Sequence, residues 1–367
     1  MSRMSATTGP VDWDTAQRVA ARAARPGPAA PRAELEDLVA GLRDAAGPAA
    51  EHAARVTRLV PADGRAPADV SRILVVDRAG WTRANVRMFA TMSAPPAGAA
   101  PADGAPLDPP ARTGFAGRLA AGAQLGAALA LLSGKVLGQF DPFTPPAGAA
   151  PDAPGEGRLL LVAPNVLHLE RRLGVDPDDF RLWVSLHEQT HALQFAAAPW
   201  LAGHLRTRFA ELLGDLAGQG EETFGRMVSA VGKVLTDDEG SLLDVLTPEQ
   251  RVVVDEVGAV MSLLEGHADV AMDAVGRGVV PSVKEIRRKF EERRDHGARA
   301  RGPAGIVRRL LGMDAKLAQY REGAVFVRAV RSRVGVNGLN AVWTSVEQLP
   351  SPAEIADPSA WVRRVHG

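Results

Sequence analysis

The segment RLWVSLHEQTHALQF, residues 181–195, restricts the fold more than any other part of the chain. It is largely apolar, and the acidic stretch DPDDF at 176–180 directly before it is typical of a helix N-terminus. We therefore predict a helix from about Pro177 to Ala198, ending before Pro199. So apolar a helix belongs in a core, and the rest of the chain must supply the elements that cover it.

Helical patterns dominate the remaining sequence, and strand patterns are few. Two short apolar runs, RILVVD at 72–77 and RLLLVAPN at 158–165, predict strands. The predicted helices cover 13–60 with a break at RPGPAAP, 81–92, 203–235, 248–277, 282–300, 303–332 and a short C-terminal segment. The fold class predicted from this pattern is α+β, mainly α with a small β-sheet.

No linker divides the chain into separate domains. We expect residues 1–12 to be disordered and 13–367 to form a single domain, with the functional core at about 158–330. Two Pro/Gly/Ala-rich segments, 94–110 and 145–157, are predicted to be surface loops.

Composition excludes several classes of function. The chain has no cysteine, so disulfides, iron–sulfur clusters and thiol nucleophiles are impossible, and a metal must use His, Asp or Glu. The net charge is zero, which argues against nucleic acid or an anionic membrane as a partner. The uncharged run between Arg118 and Lys135 is shorter than a membrane-spanning helix and predicts a tightly packed helix. These features favour a cytoplasmic location.

Two histidines on the apolar helix point to a metal. His187 and His191 are four residues apart and share one face, so both rings can reach the same ion. Glu188 lies about 100° round the helix, near enough to contact a water on that ion. This is the H-E-x-x-H arrangement of zinc hydrolases, although a pair of satisfied core histidines would give the same letters.

A third ligand must come from another segment, and LLEGHADVAMD at 263–273 offers one. Glu265 and Asp269 are four residues apart and share a helix face, on which Asp273 also lies. His267 points about 200° away from Glu265 and is the rival ligand.

At this point the sequence resembles the gluzincin metallopeptidases, in which a downstream helix supplies a glutamate ligand. FRLWVSLHEQTHALQF, LLEGHADVAMD and MDAKLAQYREGAVFVRAV together resemble a bacterial family described as zincin-like metallopeptidases, or as proteins associated with deazaflavin-coenzyme biosynthesis. The resemblance implies Zn²⁺ held by His187, His191 and Glu265. It also implies that Asp269, or Asp273 in its place, orients a ligand histidine.

Further residues receive roles on this hypothesis. Glu188 would be the general base that takes a proton from water. Tyr320, the only tyrosine, is the candidate for stabilising an oxyanion, with Lys316 one turn earlier as an alternative. Gln194 either contacts substrate or supports the site, and Trp183 is expected to pack beneath it.

The function predicted from the sequence is a zinc-dependent metallohydrolase, in the first place a peptidase acting on a peptide or protein. A non-catalytic binding or regulatory protein with a structural metal is one alternative, and a hydrolase of a non-peptide amide is another. Glu188 favours catalysis, because a structural zinc has no need of it.

Overall fold

The structure is a computed structural model that describes residues 11–93, 114–149, 155–218, 247–298 and 313–367. It is mainly helical with one three-stranded sheet, which confirms the predicted α+β class. The predicted loop at 94–110 lies outside the described residues, as do 1–10 and the middle of the predicted loop at 145–157. Side chains are not described at 213–218, 291, 293–298 and 313–321.

Within the described residues, most helices and strands follow the predicted order, while the predicted helical residues 219–235, 299–300 and 303–312 lie outside that part of the chain. The strands are β1 (Arg72–Val76), β2 (Gly138–Asp141) and β3 (Arg158–Val162). The helices are α1 (Trp13–Ala23), α2 (Arg32–Thr57), α3 (Arg78–Met92), α4 (Phe115–Leu132), α5 (Ala163–Leu173), α6 (Pro177–Ala197), α7 (Trp200–Gly218), α8 (Pro248–Ala274), α9 (Val283–Ala298), α10 (Met313–Leu339), α11 (Pro352–Ala356) and α12 (Pro358–His366).

Three elements differ from the sequence-based expectation, and one of them, helix α5, was not predicted at all. Strand β2, GQFD, was not predicted, because a four-residue run with a glycine and two polar side chains has little strand propensity of its own. The strand predicted over 158–165 ends at Val162, and Pro164 lies in the first turn of α5. Proline is well accommodated there, since the first helical N–H groups have no partner within the helix.

Strand β3 separates two apolar cores. It lies between β1, which is parallel to it, and β2, which is antiparallel, and all five of its residues are buried. Leu159 and Leu161 belong to a core shared with α2, α6, α8 and α10. Leu160 and Val162 face the other way, into a core shared with α1, α3 and α4. The sheet is therefore covered on both faces, which explains why β3 reads as an uninterrupted apolar run.

Helix α4 is the apolar run predicted to be tightly packed. Gly122 and Gly126 lie directly against the backbone of α1, where a Cβ would clash with the carbonyl oxygens of Asp12 and Ala16. Among the described residues, α4 is the one helix whose length and apolar composition would allow it to cross a membrane. Within the structure, 28% of its residues are buried. Core helices of soluble proteins meet the same criterion, so α4 alone is weak evidence for a membrane span.

Helices α8 and α10 contact each other at two glycines, Gly266 and Gly323. A Cβ on Gly266 would clash with the backbone of Gly323 and Ala324, and a Cβ on Gly323 would clash with the carbonyl of Ser262. The two backbones can approach this closely only because both positions lack a side chain. Gly266 directly follows Glu265, so this crossing fixes the depth at which Glu265 is held.

Replacing Gly266 with alanine should therefore destabilise the protein. We expect Gly266→Ala to lower the free energy of unfolding by about 1–3 kcal/mol, because the backbone of α10 cannot yield as a flexible side chain would. Gly203→Ala is the matched control, because Gly203 is helical and a Cβ there would meet nothing within 4 Å. The control should be neutral or stabilising by up to about 1 kcal/mol. Equal melting temperatures for the two variants would contradict the proposed contact.

Candidate metal centre

Helix α6 begins and ends close to where the sequence predicts. Asp176 caps it by accepting a hydrogen bond from the backbone N–H of Asp179 at 3.0 Å, and Pro177 is in its first turn. It ends at Ala197, one residue before the predicted boundary. Trp183 is buried in the main core, stacked on Phe180 with ring centroids 5.9 Å apart.

The side chains of His187, His191 and Glu265 converge on one point. Their donor atoms all lie within 4.8 Å of one another. The two Nε2 atoms are 3.2 Å apart, and the carboxylate oxygens of Glu265 lie 3.4 Å from Nε2 of His187 and 3.6 Å from Nε2 of His191. Ligand atoms bound tetrahedrally to zinc at about 2.0–2.2 Å are separated by about 3.3–3.6 Å. The donor types and their spacing therefore fit a zinc ion.

The outer ring nitrogens show how the two imidazoles are held. Nδ1 of His191 lies 2.9 Å from Oε1 of Gln194, and Nδ1 of His187 lies 3.3 Å from the sulfur of Met272. Both contacts occupy the nitrogen that faces away from Glu265. The inner Nε2 atoms are thus directed at each other and at the carboxylate, as binding to one shared ion would require.

The electrostatics differ between the two histidines. Burial by itself would lower the pKa of His187. The Glu265 carboxylate has a larger opposite effect, to which Glu188 and Asp269 add, and the net result is a pKa of about 9. Burial lowers the pKa of His191, and the positive charge of His187 adds to this effect. A proton on His187 thus supplies the positive charge beside the Glu265 carboxylate.

Glu188 is held beside this group but is not one of its three convergent side chains. It is buried, and burial raises its pKa to about 7 despite the nearby positive charge of His187. A Cβ on Gly138 would lie 2.5 Å from Cγ of Glu188. The glycine therefore lets the edge strand β2 pass directly over this carboxylate.

Asp269 and Asp273 do not orient a ligand histidine, contrary to the prediction. Both pair with Arg287 of α9, Asp273 at 2.7 Å, and Arg328 of α10 lies 3.1 Å from Asp273 and 3.8 Å from Asp269. Guanidinium groups make stronger partners for these carboxylates than a neutral imidazole would. Asp269 therefore acts on His187 only through its charge.

Gln194 is the residue that contacts the outer nitrogen of His191, and the sequence had suggested for it either a contact with substrate or support of the site. Its position three residues after His191 was the signal, since i and i+3 are neighbours on a helix. His267, the rival ligand, is turned away from the three convergent groups and bonds to Gln194 instead, with Nδ1 2.9 Å from the amide nitrogen. Burial keeps it neutral by lowering its pKa to about 3.

Tyr320 and Lys316 lie in α10, at positions whose side chains are outside the described part of the structure. Their suggested roles at an oxyanion stay predictions.

Comparisons with known proteins place the chain in a family. The chain is 32% identical to a candidate hydrolase with a novel fold from Chloroflexus aurantiacus, whose crystal structure matches with a TM-score of 0.62 over 97% of this chain and 99% of that one. No curated protein matches the chain. A family model described as zincin-like metallopeptidase matches residues 11–362. That match spans nearly the whole sequence and includes all three convergent residues, so the chain belongs to the zincin-like metallopeptidase family.

Proposed function

We propose that the protein is a zinc-dependent hydrolase whose metal is held by His187, His191 and Glu265. One observation carries the proposal: two imidazole nitrogens and a carboxylate converge at zinc-ligand spacing, with Glu188 held beside them. Bound zinc would act as a Lewis acid and lower the pKa of a coordinated water to about 7. His₂Glu ligation leaves a fourth position for that water, as catalytic zinc sites do.

Glu188 is the proposed general base. Its raised pKa of about 7 lets the carboxylate accept a proton near neutral pH and return it to a leaving group. The side chains of His187 and Glu265 are each 27% exposed, so the centre opens towards solvent. A structural zinc is usually held by four protein ligands, whereas three groups converge here among the described residues, and this favours catalysis over the alternative of a structural metal in a binding protein.

A peptide is the substrate class that the surroundings favour. Strand β2 is at the edge of the sheet, and within the described residues no other strand pairs with its outer side. The same strand passes over Glu188 at Gly138. An extended peptide could add to this edge through backbone hydrogen bonds and place an amide beside the carboxylate. A non-peptide amide would gain nothing from the open edge. A cytoplasmic location stays a prediction, as does the association with deazaflavin-coenzyme biosynthesis.

Zinc content tests the ligand assignment. We expect about one zinc per chain in the wild type and sharply lower content in His187→Ala and in His191→Ala, measured by elemental analysis. His204→Ala is the matched control, because His204 lies in α7, outside the three convergent groups, and should leave the zinc content unchanged. Full zinc in a variant that lacks both His187 and His191 would rule out this site.

Glu188→Gln tests the base. The amide keeps the shape of the side chain but cannot accept a proton, so hydrolysis should fall by about 10²–10⁴-fold while zinc is retained. Cleavage is measured by mass spectrometry on a peptide library, with Glu51→Gln on the exposed side of α2 as control. Equal cleavage by wild type and Glu188→Gln would disprove the role of Glu188.

The pH dependence of zinc affinity tests the electrostatics. With a pKa of about 9, His187 is protonated at neutral pH in the metal-free protein and must lose that proton to bind a metal. Zinc affinity should therefore rise about tenfold per pH unit between pH 6 and 8, as measured by competition with a chelator calibrated at each pH. A constant affinity across this range would show that no proton is displaced.

A further inference from the structure

We propose that Gln194 and His267 are positioning residues that hold His191 as its Nδ1–H tautomer, leaving Nε2 free for the metal. This inference rests on the proposed zinc centre, but its key geometry belongs to the protein alone. Gln194 and His267 are both buried, and neither is among the three convergent groups.

The orientation of the Gln194 amide is fixed by a backbone carbonyl. Nε2 of Gln194 lies 3.0 Å from the carbonyl oxygen of Leu264, which can only accept a hydrogen bond. The amide nitrogen must therefore face α8, and Oε1 must face His191 at 2.9 Å. Because Oε1 can only accept, Nδ1 of His191 carries the proton, and its Nε2 presents a lone pair to His187 and Glu265.

His267 completes the arrangement. The amide nitrogen of Gln194 has a second hydrogen, and Nδ1 of His267 lies 2.9 Å from that nitrogen. His267 must then accept through Nδ1 and carry its own proton on Nε2. Its side chain lines a cavity of about 10 Å³, room for about one water that could accept this proton. Every polar atom of Gln194 is thus used, and a flipped amide would face Leu264 oxygen to oxygen.

This chain therefore orients one ligand histidine with a neutral amide, where the sequence predicted a carboxylate. The difference affects charge, since Asp269 is neutralised by Arg287 and adds no negative group against the His191 ring. With two neutral imidazoles and Glu265, a zinc ion at the centre would keep one net positive charge. Partners of this kind typically contribute about 10- to 100-fold to metal affinity.

The first test measures zinc affinity by chelator competition in Gln194→Met, which keeps the length of the side chain but loses both hydrogen-bonding groups. Binding should weaken about 10- to 100-fold. Gln189→Met is the matched control: Gln189 is also fully buried in α6, but it bonds to the carbonyl of Ala46 and to Ser71. It should lose comparable thermal stability and keep its zinc affinity within about threefold. Equal affinity in the two variants would overturn the inference.

The second test reads the tautomers directly and does not depend on Gln194→Met folding. Two-bond ¹H–¹⁵N correlation spectra of the metal-free wild type, with labelled histidine, distinguish the two neutral ring forms. We expect the Nδ1–H form for His191 and the Nε2–H form for His267. An Nε2–H form at His191 would overturn the inference. If the wild type bound no zinc, the proposed function would be wrong. The tautomers of His191 and His267 would still show whether Gln194 holds the two rings as inferred.

Discussion

The burial of α6 is the constraint on which the rest of the structure depends. This helix carries polar side chains into the core, and each one that is buried has to find a partner or lose stability. Arg181 pairs with Glu170 of α5 and Asp37 of α2, both at 3.1 Å. Gln189 bonds to α2 and Gln194 to α8. The two ion pairs of Arg181 fix the rotation of α6 about its axis and so decide where its two histidines point.

The surrounding layers supply the rest of the centre. The sheet lies against α6 with its edge strand, and Gly138 allows that strand to approach Glu188. Helix α8 brings Glu265 from the other side, at a depth set by its glycine contact with α10. Three separate segments, near 138, 188 and 265, therefore meet although they are far apart in the sequence. Two carboxyl groups and two histidines are gathered there, and the proposed zinc ion would bind three of them, His187, His191 and Glu265, beside Glu188.

Local patterns in the sequence predicted the fold class, the course of α6 and the shared face of His187 and His191, whereas the choice of Glu265 over His267 also rested on the resemblance to gluzincins. Apolar periodicity, proline positions and the i, i+4 spacing are short-range properties, so the local structure that they predict does not depend on distant parts of the chain. Strand β2 was missed because its pairing with β3 depends on a tertiary contact. The role of Asp269 was mistaken for a similar reason. Its partner, Arg287, lies on a different helix, and the sequence of residues 265–273 does not indicate that an arginine from α9 packs against Asp269.

Diffraction data collected from zinc-loaded crystals on either side of the zinc absorption edge would locate the metal directly. We predict one anomalous peak at about 2.0–2.2 Å from Nε2 of His187, Nε2 of His191 and an oxygen of Glu265. The ring of His267 should remain on Gln194, away from the peak. A peak bonded to His267, or one that lacks either α6 histidine, would rule out the proposed zinc centre.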